Sequence, residues 1–298
     1  MFRRGERTQW ITVGVVGAAV LGACGATPSH HKSTVKVAPA QAKLIVPTPV
    51  DASSLTRLST SGTFWLVGGP QSSRGLYQFT FTSDRELRSV PLASGATSVT
   101  ALTNGLLAVG IGTASSGAVE IRSADLGTLQ RSIPTAGPVL AVASATTGDT
   151  IFALVTVHGA ASVVQMNEAG RLVGPTISVP SNSVGISVSP QGNTLYTLTS
   201  TGSVVATSTR SGVTLSNFTV GHSGEALSES EDGQTLYVLK GPGSQRNVAV
   251  VNLQTEEVLR VLPAPADAVA LTVEASSGTL FDLVGSASVG NVQEFSLS

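Results

Sequence analysis

The chain carries four His, one Cys and eighteen carboxylates, so acid–base, metal or nucleophilic chemistry must be built from few groups. Five residues in its second half stand out: His158, His222, Glu225, Arg246 and Asp267. A His with two carboxylates has the donor types for a transition metal or a proton-transfer pair. Their spacing is long, and no short ligand pair such as H-E-x-x-H is present. Glu229, Glu231 and Asp232 form a second acidic group whose oxygens would suit Ca²⁺. It lacks the alternating spacing of a calcium loop, and Asp232-Gly233 reads as a turn dipeptide. No G-x-S-x-G elbow accompanies the many serines. Gly110-Ile111-Gly112 and Gly241-Pro242-Gly243 have no following helix to make a phosphate cradle. No axial-ligand motif is present either. The reading is therefore polar loop residues available for recognition, with no metal and no cofactor expected.

The elements that would position these loops follow from an internal repeat. Gly62, Gly105, Gly148, Gly192, Gly233 and Gly278 recur with spacings of 43, 43, 44, 41 and 45 residues. Each is followed by a short apolar run, such as Phe64-Trp65-Leu66-Val67, Leu195-Tyr196-Thr197-Leu198 or Leu280-Phe281-Asp282-Leu283. Each is preceded by a run of strand composition, such as Gly185-Ile186-Ser187-Val188-Ser189. The glycine marks a turn that needs positive φ. Two further strands complete each unit, as in Asn247–Val251 and Val258–Leu262. Four antiparallel strands in about 43 residues is the dimension of a β-propeller blade. The expectation is an all-β, six-bladed propeller, with the strand b aromatics packed between blades.

Units four and five carry Ser189-Pro190-Gln191-Gly192-Asn193-Thr194-Leu195-Tyr196 and Glu231-Asp232-Gly233-Gln234-Thr235-Leu236-Tyr237-Val238. These stretches resemble the YVTN-type propeller repeat, and the other four units follow it in period and strand pattern. The resemblance implies the fold and an extracytoplasmic setting. It does not imply one activity.

With strands a to d running outward from the channel, the d–a and b–c loops share one face, called the top. His158 and Arg246 fall in b–c loops, and His222, Glu225 and Asp267 in d–a loops. All five candidates are thus expected around the top mouth of the channel. The last unit lacks a strand d. Lys43-Leu44-Ile45-Val46 has strand composition and precedes the first unit, so it is expected to pair with residues 291–297 and close the ring. Pro47 is tolerated there because an outermost strand has one free edge.

Composition bounds the function. Net charge is −1, so there is no basic stripe for nucleic acid. Charged residues make up 12%, too few for a coiled coil.

At the N-terminus, Arg3, Arg4 and Arg7 precede an apolar run from Ile11 to Leu21. This run is too short to span a bilayer comfortably. It ends in Leu21-Gly22-Ala23-Cys24, which resembles a bacterial lipobox and contains the chain's one Cys. The resemblance implies a signal peptide over residues 1–23, removed so that a lipidated, palmitate-bearing Cys24 heads the mature chain. Residues 24–42, including His30-His31, read as a solvated tether, and residues 43–298 as the propeller domain. With no second Cys, stability must come from an ordinary core.

Together these readings describe a monomer held on the outer side of a bacterial cytoplasmic membrane, or in the periplasm, through lipid on Cys24. It would act as a binding or interaction module for an envelope protein, a cell-wall polymer or a small ligand. The alternative is a propeller enzyme, a lactonase-like hydrolase or lyase, with its site at the channel mouth.

Overall fold

A computed structural model of the chain describes residues 44–58, 62–80, 85–274, 279–285 and 290–297. The export signal, Cys24, the tether, Lys43 and Gly278 lie outside these residues.

Strand β1 spans Leu44–Pro47. Blade one is β2 (Ser54–Leu58), β3 (Thr63–Gly68), β4 (Gly75–Thr80) and β5 (Arg85–Pro91). Blade two is β6 (Ala96–Ala101), β7 (Leu106–Gly112), β8 (Gly117–Ser123) and β9 (Leu129–Thr135). Blade three is β10 (Val139–Ser144), β11 (Ile151–Val157), β12 (Ala160–Met166) and β13 (Ile177–Val179). Blade four is β14 (Ser183–Val188), β15 (Thr194–Thr199), β16 (Ser203–Ser208) and β17 (Thr214–Thr219). Blade five is β18 (Gly224–Glu229), β19 (Thr235–Lys240), β20 (Asn247–Asn252) and β21 (Glu257–Pro263). Blade six is β22 (Ala268–Glu274), β23 (Thr279–Gly285) and β24 (Gly290–Ser296), completed by β1. Every pairing is antiparallel, and the protein is a six-bladed propeller.

The second strand of each blade is buried on both faces, which is why it reads as an unbroken apolar run. Six apolar clusters fill the described residues, one at each junction between blades. Trp65 and Phe152 are almost wholly buried at the first and third junctions. At the junction of blades six and one, the Phe64 and Phe281 rings meet edge to face with centroids 4.8 Å apart. Such aromatic pairs add about 0.5–1.5 kcal/mol beyond area burial.

Five of the six repeat glycines have positive φ, from 60° at Gly62 to 106° at Gly148. The turns at Gly192 and Gly233 are built alike. Gly192 N–H donates to the Ser189 carbonyl at 2.7 Å, and Gly233 N–H to that of Ser230 at 2.9 Å. The Ser189 hydroxyl accepts from the Asn193 and Thr194 N–H groups at 3.0 Å, and that of Ser230 accepts from Thr235 N–H at 3.0 Å. Asp232 belongs to the same device: it accepts from the Ser230 hydroxyl and from Gln234 N–H. The Ser230 bond is the main cause holding its carboxyl below the usual range.

Closure follows the expected register, with Leu44 opposite Glu294, Ile45 opposite Gln293, Val46 opposite Val292 and Pro47 opposite Asn291. Gly110 and Gly112 lie within β7 rather than in a loop. A Cβ at Gly110 would stand 2.8 Å from Ser98 Oγ and Val139 Cγ1, so glycine there permits close packing of neighbouring blades.

Candidate functional site: the central channel and its mouths

The six innermost strands enclose a channel of about 380 Å³. Each blade gives it a hydroxyl: Thr56, Thr100, Ser144, Ser187, Ser228 and Thr272. An innermost strand leaves N–H and C=O groups unpaired along its free edge, and buried ones need partners. In the first three blades hydroxyls one repeat away supply them. Ser54 Oγ accepts from Val99 N–H at 3.0 Å, and Thr56 Oγ1 from Ala101 N–H at 3.1 Å. Thr97 Oγ1 donates to the Val139 carbonyl at 3.0 Å, and Ser144 Oγ to that of Ala101 at 2.6 Å. The abundance of Ser and Thr thus has a structural use at the channel wall.

The top mouth is shaped by a repeated irregularity. In five blades the pairing of the two innermost strands skips one residue near the top: Thr97, Leu140, Val184, Glu225 and Val269. A bulge re-aims the side chain it carries. All five of these residues line the channel. Among the described residues that line it, the mouth is therefore apolar and hydroxylic, with Glu225 as its carboxylate.

Of the five sequence candidates, Glu225, which lies within β18 at its bulge rather than in the loop before it, is joined to Arg246. Arg246 Nη2 donates to Glu225 Oε1 at 3.2 Å, and Nη1 donates to the Ala268 carbonyl of blade six. Arg246 ends the loop Gly241-Pro242-Gly243-Ser244-Gln245-Arg246, which contains a short 3₁₀ turn. Blade one repeats this loop as Gly69-Pro70-Gln71-Ser72-Ser73-Arg74, where Arg74 Nη1 donates to the Gly69 carbonyl at 3.0 Å and to that of Asp51. These Gly-Pro loops carry an arginine that pins neighbouring backbone. His158 forms the two-residue hairpin between β11 and β12 with Gly159, at φ values of 50° and 81°. Positive φ at both positions matches the twist of a tight hairpin, and His tolerates it better than branched residues do. His222 and Asp267 are exposed in the loops before β18 and β22. Among the described residues, no three of His, Cys, Asp and Glu stand together as a metal-ligand group.

The bottom mouth is charged. Arg57, a channel-lining residue whose side chain is largely buried, pairs with Glu274 of blade six and lies 3.8 Å from Glu231 of blade five. Glu229 is a channel-lining residue whose carboxylate oxygens are both buried without a hydrogen-bond partner among the described residues. Burial, reinforced by the nearby Asp232 charge, pushes its carboxyl up to about 8. The Tyr196 hydroxyl of blade four is pushed up to about 12 by burial and by the Glu229 charge.

Sequence reasoning passed over a further carboxylate. Asp282 is fully buried in β23, with neither oxygen partnered among the described residues, and burial raises it to about 7. Four other blades place an apolar residue at this position, as Leu66 does in the first, and blade four places the buried Thr197 there.

Comparison with protein-family models and with curated proteins finds no match to this chain. The fold and the channel geometry carry the functional argument.

Proposed function

We propose that the protein is a lipid-anchored, extracytoplasmic recognition module of the YVTN-repeat type, with its binding site at the top mouth of the channel. The observation that carries this reading is the bulge recurring in five blades, which directs one side chain per blade to the same rim. Five strands deformed alike at one level give a rigid concave surface, the usual form of a ligand site. Its lining of Leu140, Val184, Val269, hydroxyls and one carboxylate suits an uncharged, hydroxyl-bearing ligand such as the end of a cell-wall polymer. The ion pairs of Arg57 at the bottom leave the top as the open approach. Cys24 supplies the anchor, and His158, His222 and Asp267 lie on loops of the ligand-facing side.

A second reading, a hydrolase or lyase, draws support from Glu229. A carboxyl raised to about 8 is still protonated at neutral pH and has the character of a general acid.

The test is a thermal-shift and calorimetric screen of soluble cell-wall fragments against the chain and a Leu140→Trp variant. A fragment that stabilises the first and not the second supports the top mouth. Binding unaffected by Leu140→Trp but abolished by Glu229→Gln moves the site to the bottom, and turnover of a fragment favours the enzyme.

A further inference from the structure

Exposed aliphatic residues on this protein are not scattered. Leu87, Leu129, Leu172, Leu215 and Val258 recur at spacings of 42, 43, 43 and 43 residues, one in each of blades one to five. Ile45 of β1 adds an exposed aliphatic to blade six, two residues further up the blade than the others. These six are 41% to 67% exposed. Each lies in, or just before, the outermost strand of its blade, towards the c–d turn where that strand begins. The c–d turns belong to the bottom face, so the six form a belt around the bottom rim. Single exposed aliphatics are ordinary on a protein surface, whereas one at the start of the outermost strand in five successive blades is a pattern.

The first strand of the ring also begins on this rim. β1 runs antiparallel to β24, with Leu44 opposite Glu294 near the bottom and Pro47 opposite Asn291 near the top. Nineteen residues lie between Cys24 and Leu44. Even fully extended they reach no more than about 70 Å.

We propose that the bottom rim docks on the lipid bilayer, with the propeller lying flat and its top mouth facing away from the membrane. The inference rests on the Cys24 anchor of the preceding reading: the anchor confines the ring to the membrane surface, and the belt supplies the contact. Apolar side chains partitioning from water drive the contact. Charges of both signs are interspersed along the same strands and the c–d turns before them, as in Arg131, Arg171 and Arg260 against Asp125, Glu168 and Glu257, so headgroup charge contributes little.

The test must not depend on acylation of Cys24. Residues 25–298, which contain the whole closed ring, are given an N-terminal hexahistidine tag and held on phosphatidylcholine vesicles containing a nickel-chelating lipid. A single thiol introduced by Leu215→Cys or Leu129→Cys, labelled with bimane, should shift to the blue and be quenched by nitroxide-bearing lipid. The same label at Asp267→Cys on the top face should do neither. For the untagged protein, Leu129→Ser, Leu172→Ser and Leu215→Ser combined should lower vesicle partitioning by roughly tenfold, with an unchanged thermal melt. Raising the salt should leave partitioning intact. Equal quenching on both faces, no quenching at the rim, or loss of binding in salt would each overturn the proposal. Absence of acyl mass on the mature chain would instead refute the anchor and leave the vesicle result standing.

Discussion

Val46 lies directly opposite Val292 across the seam of blade six, and both side chains are buried. The first strand of the ring thus pairs with the last, and Val46 and Val292 share an apolar cluster with Phe64 and Leu66 of blade one. Deleting residues 25–48 removes β1 and bares the edge of β24, so the melting temperature should fall or aggregation appear. Deleting 25–38 should do little. Calorimetry and light scattering on the two truncations decide the matter; equal melting temperatures would show that the seam contributes nothing.

The turns at Gly192 and Gly233 require φ values of 74° and 70°. A branched side chain there is strained, and at Gly233 a Cβ would also approach Pro190 Cδ at 3.2 Å. Gly233→Val should cost about 1–3 kcal/mol, and Gly192→Val a similar amount. Denaturant melts with unchanged midpoints at both positions would remove the turn argument.

Thr56 Oγ1 is the acceptor for Ala101 N–H between blades one and two. Thr56→Val keeps the shape and removes the acceptor, so it should destabilise by about 1–3 kcal/mol. Thr56→Ser should recover most of that loss, which chemical denaturation would detect.

Two buried carboxyls give the stability a pH dependence of known sign. Asp282 and Glu229 are raised to about 7 and about 8. In the unfolded chain both titrate near 4, so between about 4 and 8 the native state holds protons that the unfolded state has released. Their contribution is fully present below about 4 and is lost as pH rises through 7 to 8. Asp282→Asn should therefore stabilise the protein more at pH 8 than at pH 5, by a difference on the order of 2–4 kcal/mol. Melting curves of parent and variant at the two pH values measure it; a parallel offset would refute the assignment.

Cys24→Ser should release the protein from membrane fractions. Retention of an uncleaved chain in the membrane would mean that the N-terminal apolar run itself anchors it.

Blade number, the repeat glycines, the buried strand b aromatics and the closing strand were legible because each rests on a residue type at a fixed period. The channel mouth was not. The bulged residues Thr97, Leu140, Val184, Glu225 and Val269 share no chemistry, since a bulge is a property of pairing rather than of one side chain. The hydroxyl bonds between blades were hidden by abundance, because Ser and Thr occur throughout the chain. Asp282 was hidden in the opposite way, as one polar residue inside a run whose two faces are both buried. Placing Arg246 and Glu225 on the top face followed from strand order, but their hydrogen bond depends on the 3₁₀ turn of the loop carrying Arg246.

Pairing between β1 and β24 also sets the timetable of folding. β1 is synthesised before any other strand of the ring, and its partner is the final strand. Blades one to five each contain all four of their strands in sequence and can form while the chain is still growing. Blade six has to wait, and β1 spends the whole of synthesis without its partner. Joining segments so far apart carries the largest loop-closure cost in the molecule, which makes the seam the slow step of assembly. A ring sealed last remains an open chain until the end, and is unlocked again by the release of four residues.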